Sequence, residues 1–431
     1  MYIIAIDCGA SFVKASRLNG DGIIECSEKR GTPGIDGESL RIEKTIKIVE
    51  ELIVKLAGDS NQVAVGFSTE MHGFIIADKD GNPLTDYISW QDESGLQYYK
   101  NETYLDFVRN VLTEEEVIGT GMPVKAGLPS VNLFYKLCNE LSTIPCDTMF
   151  FYTLGDYLIR RLSNQEPYIH ITNAAATGLC CIKAKEWDES IINKLGMKGI
   201  RFPQIVNKPN VVEGELEGRK IFFYPALGDQ QAALWGSNLE NKDSLSVNFG
   251  TGAQVSIICD KFVERGKYQV RPYFDDKYLL TIPHIPSGRA LNVYFRFIKE
   301  ILSNFTVVTD EQIWEWILKE AEQDSYEDLK IDMSFFTNAI TENTVGSICN
   351  IHEHALTVGN FFRSVFKTMA VNAKKMMDEL EHNEINTVIF SGGVVAKNSL
   401  LRKMMMEELN IRNATIATDE TIKGIYRYIV E

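Results

Sequence analysis

An α/β protein with two duplicated lobes and a cleft between them is the architecture this sequence predicts, and three observations carry the prediction. YIIAIDCGASFVKA at the start of the chain and LSVNFGTGAQVSI past its middle repeat one pattern: an apolar β-rich run, a turn of the form Asp/Asn-x-Gly-small-small, and a second alternating run. Each copy is followed by helical and buried-strand segments in alternation, the grammar of α/β units. A chain of 431 residues also exceeds what one core ordinarily organises. Two lobes are therefore expected, residues 1–235 and 236–431, parted near the polar stretch GSNLENKDS.

The elements follow in order. Residues 1–30 read as a three-stranded meander with a turn at Asn19-Gly20-Asp21-Gly22. Residues 38–57 place Leu40, Ile42, Ile46, Val49, Ile53 and Leu56 at helical spacing. QVAVGFS is a buried strand that ends in the polar loop Thr69-Glu70-Met71-His72-Gly73, and FIIADKDGNPL reads as a further hairpin. A loop then carries Trp90-Gln91-Asp92, and residues 130–163 read as helices with Asp156 near one start. In the second half, LSVNFGTG and AQVSIIC form the repeated hairpin and YLLTIPHI adds a strand. Helices are expected from Ala290, from Thr357 and from Asn398, with the buried strand TVIFSGG before the last.

Composition narrows the partners. At 45% hydrophobic and 24% charged residues the chain reads as soluble and globular, and a formal net charge of −15 argues against nucleic acid or an anionic membrane surface. No run of about 20 apolar residues is present and YIIAI meets Asp7 too early for a signal-peptide core, so a cytoplasmic location is expected. Eight cysteines without a CxxC pair read as reduced core residues. Apolar stripes on the helices of the second half are core or the face of a homodimer.

Four constellations carry chemistry. In the turns Asp7-Cys8-Gly9-Ala10-Ser11 and Asn248-Phe249-Gly250-Thr251-Gly252, small residues let backbone N–H groups approach an anion such as phosphate. Asp7 beside the first turn suits Mg²⁺ and Lys14 adds a positive charge, although an acid there also serves as a plain turn cap. Asp229, in Leu227-Gly228-Asp229-Gln230-Gln231, stands at a strand-to-helix junction, where it serves either as a helix N-cap or as the base that accepts a hydroxyl proton in phosphoryl transfer. In Ser391-Gly392-Gly393 followed by Asn398, two glycines permit a flat base to lie on the backbone and an amide to hydrogen-bond it; a strand-to-helix turn wants the same residues. Glu70, Met71, His72, Trp90, Gln91 and Asp92 form a polar set with an indole face, suited to a polyhydroxylated ligand. Walker A, GxGxxG, HExxH and GxSxG patterns do not occur.

Taken in order, these motifs resemble the FGGY carbohydrate kinases: DCGASFVK and VNFGTG their two phosphate loops, STEMHG their sugar loop, SWQDES their Trp-x-Asp segment, GDQQAA their catalytic-base motif, and SGGVVAKN their adenosine motif. GDYLIRRL, ITNAAATG with EWD, and PYFDDKYLLTIPHIPSGRALN are most similar to the sedoheptulokinase branch. The resemblance implies two ribonuclease-H-like lobes of the actin-like ATPase type that close on ATP with Mg²⁺ and a sugar. It implies phosphorylation of a primary hydroxyl, with a seven-carbon ketose first and ribulose, xylulose or glycerol as alternatives. By position it makes Asp229 the base, and Asp7 with Asp229 the metal carboxylates. Gly9, Ser11, Gly250, Thr251 and Gly252 would contact phosphates, and Gly288, Gly392, Gly393 and Asn398 would line the nucleotide site. Glu70, Met71, His72, Trp90, Asp92 and Gln230 would face the sugar. Two positions depart from the family pattern: Ala10 stands where threonine is usual, with Ser11 beside it, and Ser94 stands where arginine is frequent. A nucleotide switch could use the same lobes without sugar transfer; the acid at 229 together with His72 and Trp90 favours the enzyme.

Overall fold

A computed structural model describes residues 1–34, 40–264, 266–324, 329–341, 344–381 and 384–431. The chain divides into two units, one of Met1–Asn238, Val270–Tyr278 and Asp419–Glu431, the other of Leu239–Gln269 and Leu279–Thr418. The N-terminal unit thus takes in two later segments of the chain.

Its sheet begins with the expected meander, β1 (Tyr2–Cys8), β2 (Phe12–Leu18) and β3 (Ile24–Gly31). Helix α1 (Arg41–Ala57) crosses to β4 (Gln62–Thr69), which lies parallel to β1; the expected start of this helix at residues 38–39 lies outside the described residues. The hairpin β7 (Val212–Leu216) and β8 (Arg219–Phe223), and then β9 (Leu227–Gly228), extend the sheet beyond β4; the order is β7-β8-β4-β1-β2-β3, with β9 also on β4. FFYPAL is not one strand, because Pro225 has no N–H for a ladder and separates β8 from β9.

Side chains of β1 alternate between two cores, as the two-residue period of a strand requires. Ile4 and Ile6 face α1 and α3 (Leu154–Ser163), while Ile3 and Ala5 pack with Ile422 and Ile425 of the last helix, α10 (Glu420–Val430). That helix also clasps α4 (Asp229–Gly236): a Cβ on Gly424 would lie 1.9 Å from the Ala232 carbonyl oxygen, and one on Gly236 would lie 1.8 Å from that of Glu420. Only glycine at both positions allows this approach.

One expectation needs correction here. Residues 130–163 are not all helical, since β6 (Phe150–Tyr152) stands between α2 (Pro129–Asn139) and α3. FIIADKDGNPL does turn back on itself: Ala77 bridges Pro83 in antiparallel sense, the Asp78 N–H donates to the Asn82 carbonyl (2.9 Å) and the Leu84 N–H to that of Ile76 (2.7 Å). The regular ladder of β5 (Ile75–Ala77), however, is with β6, so a partner far along the chain is what makes residues 150–152 a strand.

In the C-terminal unit β10 (Ser244–Phe249) and β11 (Ala253–Cys259) form the repeated hairpin, and β12 spans Tyr278–Ile285. Helices α5 (Gly288–Ser303), α6 (Asp310–Gln323) and α7 (Val358–Glu379) precede β13 (Thr387–Ser391), which is parallel to β10. Short α8 (Gly393–Lys397), α9 (Ser399–Leu409) and β14 (Asn413–Ile416) follow. Five strands run β12-β11-β10-β13-β14, the counterpart of β3-β2-β1-β4-β8 in the first unit. The repeated sequence pattern is therefore a repeated topology. Phe362, Phe366, Met404 and Met405 are buried as core.

All eight cysteines are free, but only Cys8 and Cys180 are buried; Cys26, Cys138 and Cys349 are exposed, which corrects their reading as core. Among the described residues no helix is long and apolar enough to cross a membrane.

Candidate active site

At the carboxyl end of the N-terminal sheet, strand register brings distant acids together. Asp7 lies beside Lys14 on β2 and beside Ser68 on β4, while Ser68 lies beside Leu227 of β9. Asp229 comes two residues after Leu227, at the first position of α4. Glu70 follows β4 directly and its N–H donates to the Cys8 carbonyl (3.1 Å). Three carboxylates thus collect at one sheet edge.

Their electrostatics follow from that crowding. Burial pushes Asp7 up to about 6, against the pull of the Ser68 hydroxyl and the Lys14 charge. Burial, and next the negative charge of Asp7, push Asp229 up to about 7, while the Gln230 N–H, donating to Asp229 Oδ1 at 2.7 Å, and the Arg271 charge pull the other way. Glu70, 6% exposed, is also raised by burial, and Arg41 opposes this with its Nη2 3.6 Å from Glu70 Oε1. Arg41 opens α1, whose first N–H groups, Arg41 and Ile42, donate to the Asp86 carboxylate at 2.9 and 3.0 Å.

The strand that delivers Asp229 is held from one side. The Gly228 N–H donates to Thr172 Oγ1 (3.0 Å) and Asn173 Nδ2 donates to the Ala226 carbonyl (2.9 Å). A Cβ on Gly228 would lie 2.7 Å from Met71 Sδ, so Met71 is packed against the turn itself. His72 takes a left-handed φ of 67°, an uncommon conformation for a non-glycine residue, and its Nδ1–H donates to the Ala176 carbonyl (2.6 Å). Trp90 is 47% exposed, which leaves its indole face accessible. Asp92 accepts from the Ser94 N–H (2.8 Å), so Ser94 serves a turn in this chain.

Lys14 Nζ is 2.7 Å from Asp419 Oδ1, a partner from the far end of the chain. In the turn it leads from, the Gly9 N–H donates to the Phe12 carbonyl (3.0 Å) and Ser11 is exposed.

The corresponding turn of the C-terminal unit is closed by Gly250 N–H to the Gly252 carbonyl (3.0 Å) and leaves Thr251 exposed. Gly288 N–H donates to the Gly250 carbonyl (3.0 Å) and Arg289 N–H to that of Thr251 (2.8 Å), so the start of α5 braces the turn. Asn248 Nδ2 donates to Ser391 Oγ (2.8 Å), and Asn398 caps α9 by accepting from the Leu401 N–H (2.9 Å).

The glycines of these turns fall into two kinds. A Cβ at Gly252 or Gly393 would meet nothing within 4 Å, and at Gly9 and Gly250 only ordinary contacts at 3.5 and 3.9 Å. At Gly288 it would lie 2.5 Å from the Gly250 carbonyl oxygen, and at Gly392, with φ of 87°, 2.6 Å from Phe249. Packing alone accounts for the second kind and leaves the first kind facing open space.

Magnesium binds through one or two carboxylates, substrate phosphates and water. Asp7 and Asp229 supply such a pair, and among the described residues no group of three or more His, Cys, Asp or Glu side chains forms a metal cage. Two carboxylates of this kind fit the donor set of a magnesium ion.

Thr172, Asn173, Arg41, Asp86 and Arg271 complete this region, and the sequence by itself does not single them out. Their marks were faint: ITNAAATG is rich in small residues, and Arg271 is a cation within the apolar run Val270–Phe274.

The region can be set beside known proteins. Residues 2–236 match the model of the N-terminal domain of the FGGY family of carbohydrate kinases. A glycerol kinase of Clostridium botulinum (strain Alaska E43 / Type E3) is 25% identical over 273 residues, covering 58% of this chain and 53% of that enzyme. The chain spans about half the length of the curated relatives it matches first. Among solved structures, gluconate kinase from Lactobacillus acidophilus superposes with a TM-score of 0.82 at 19% identity, covering 99% of this chain and 88% of that one. Plasmodium falciparum glycerol kinase with ADP gives 0.82 at 17% identity, covering 99% and 88%. These likenesses show the fold, two ribonuclease-H-like lobes of the actin-like ATPase type. With the family model spanning more than half of its residues, the chain belongs to the FGGY family of carbohydrate kinases.

Proposed function

We propose that this chain transfers the γ-phosphoryl group of ATP to a primary hydroxyl of a small polyhydroxylated acceptor, with Asp229 as the general base. The observation that supports it best is the carboxyl of Asp229, pushed up to about 7, on the same sheet edge as Asp7 and Glu70. A base whose pKa lies near neutral pH both exists ionised and accepts a proton readily. As the acceptor oxygen bonds to the γ-phosphorus, its proton passes to Asp229. The bond to the β,γ-bridging oxygen breaks with its electron pair leaving on ADP. Magnesium supplies charge neutralisation on the phosphates, and Asp7 and Asp229 would hold it.

The remaining assignments follow the motifs. Gly9, Ser11, Gly250, Thr251 and Gly252 form the turns that contact phosphate oxygens, the N–H groups of Gly9 and Gly250 closing those turns and Lys14 adding positive charge. Gly288, Gly392, Gly393 and Asn398 border the nucleotide; for Gly288 and Gly392 the packing described above is a sufficient reason for glycine. Glu70, Met71, His72, Trp90, Asp92 and Gln230 face the acceptor. Sedoheptulose heads the acceptor panel on its motif resemblance. Ribulose, xylulose and glycerol follow, and gluconate joins them because a gluconate kinase shares the fold.

The test is ADP release from Mg·ATP across that panel, with the phosphorylated carbon fixed by NMR. Asp229→Asn is expected to lower turnover by roughly 10²–10⁴-fold while ATP affinity holds. Near-normal turnover in that variant rejects Asp229 as base, and no acceptor-dependent ADP release rejects the kinase reading.

A further inference from the structure

The transfer scheme leaves one buried imidazole without a role. His170 ends the short strand Ile169–His170, which pairs with Ile205–Val206, and caps the single helical turn Ile171–Ala174. It is 1% exposed. The Phe274 ring stacks on it with centroids 5.8 Å apart, and the Tyr428 ring of α10 meets it edge-on at 5.1 Å. Phe274 stacks in turn on Trp235 of α4, at 4.8 Å. A phenylalanine would suit this aromatic cluster and would bury no polar atom. Burial instead pulls the His170 pKa down to about 3, which keeps the ring neutral, and its Nε2 faces the Asn207 backbone without a hydrogen bond of ordinary geometry. An imidazole held at that cost calls for a use at its other nitrogen.

Nδ1 has such a use. The Thr172 N–H lies 3.4 Å from Nδ1 and can only donate, so Nδ1 is the acceptor and the ring proton sits on Nε2. The Thr172 hydroxyl, 2.8 Å from Nδ1, therefore gives its one proton to the ring. Its lone pairs are left to the Gly228 N–H, which donates to Thr172 Oγ1 at 3.0 Å. Each bond of such a chain polarises the next. Asn173, on the same helical turn, donates from Nδ2 to the Ala226 carbonyl (2.9 Å), so the backbone is gripped on both sides of Leu227 just before Asp229. Helix α4 is thus held at its start through Thr172 and near its end through Trp235 and Phe274, and His170 touches both Thr172 and Phe274.

We propose that His170 is a positioning residue for phosphoryl transfer: its Nδ1 orients the Thr172 hydroxyl, which holds the Gly228 N–H and with it the direction of the Asp229 carboxylate. The proposal rests on Asp229 being the general base, as inferred above.

Steady-state kinetics of the full chain, with Mg·ATP and an acceptor that releases ADP, compare the wild type with His170→Phe, His170→Asn, Thr172→Val and the double variant His170→Phe/Thr172→Val. Asparagine can set its amide oxygen close to the place of Nδ1, whereas phenylalanine fills the cluster and offers no acceptor. His170→Phe is expected to lower kcat roughly 10- to 100-fold, the effect of a misdirected catalytic group, with both KM values within about twofold of wild type. His170→Asn should recover most of that loss, and the double variant should be no slower than the slower single one. Nitrogen-15 NMR of the histidine-labelled chain, with the His170 signal assigned by its absence in His170→Asn, should show an unprotonated Nδ1 whose shift changes in Thr172→Val. A kcat within about twofold of wild type for His170→Phe overturns the proposal, as do additive losses in the double variant. A protonated Nδ1 in the wild type overturns it even if His170→Phe does not fold. Near-normal turnover in Asp229→Asn alongside an unprotonated Nδ1 rejects the base, and with it the positioning role, while the hydrogen-bond chain stands.

Discussion

Alanine at Gly252 is expected to spare the fold and weaken ATP binding, and the contrast with Gly288 makes the reasoning testable. A Cβ at Gly252 meets nothing within 4 Å, and the residue has no positive φ, so the protein's own packing tolerates a methyl group there. Reduced freedom of the unfolded chain would then stabilise the variant by about 0.4–1 kcal/mol. At Gly288 the Cβ would lie 2.5 Å from the Gly250 carbonyl oxygen and 3.2 Å from Val394 Cγ2, so the same change overpacks. Overpacking of this kind costs about 1–3 kcal/mol. If a phosphate oxygen approaches the Gly250-Gly252 turn to hydrogen-bond distance, the methyl group at 252 occupies that space. Losing one hydrogen bond to a charged group costs about 1.5–3 kcal/mol, roughly a 10- to 150-fold rise in Kd. Thermal unfolding of the ligand-free chain and calorimetric titration with Mg·ATP read the two quantities separately. The expected pattern is an unchanged or raised melting temperature with weaker ATP for Gly252→Ala, and a lowered melting temperature for Gly288→Ala. An ATP Kd for Gly252→Ala within twofold of wild type would refute the phosphate-approach argument, and a melting temperature several degrees lower would refute the open space.

Two further predictions concern Asp229 and its support. Burial and the Asp7 charge push Asp229 up to about 7 in the folded chain from 3.8, so between these values the folded state keeps a proton that the unfolded chain has released. Stability therefore falls as pH rises through that window. Asp229→Asn without ligand is expected to melt above wild type at pH 8, with the gap closing towards pH 4; an equal gap at both pH values contradicts this. Thr172→Val keeps the side-chain shape but leaves the buried Gly228 N–H without its 3.0 Å acceptor, a loss of about 1–3 kcal/mol. Denaturant unfolding should show that loss and steady-state kinetics a lower kcat, and stability within about 0.5 kcal/mol of wild type counts against the clamp.

The legible part of the site was the part written in contiguous residues. Turn chemistry placed Gly9 and Gly250 in hairpins, alternation placed β1 and β10, and an acid after Leu227-Gly228 marked Asp229 before any coordinates. The double reading of Asn398 as base contact or N-cap met its cap bond to Leu401. Arg41 was illegible because its partner Glu70 depends on how α1 crosses the sheet; Lys14 was legible as a charge, but its pairing with Asp419 was not, because that partner lies at the other end of the chain.

Sequence alone determined the paired hairpins, the long helices, the duplication and the acids at the strand ends, because period, turn residues and capping are properties of near neighbours. Tertiary structure decided which acids meet. Asp7, Ser68 and Leu227 align only through the parallel register of three strands distant in the chain, and it is the burial of Asp229, and next the Asp7 charge, that raises Asp229. It also decided that α10 closes the N-terminal unit, since that is set by helix packing at Gly424 and Gly236. Close approach of this kind is a property of two surfaces together, and either glycine alone reads as an ordinary turn or helix residue.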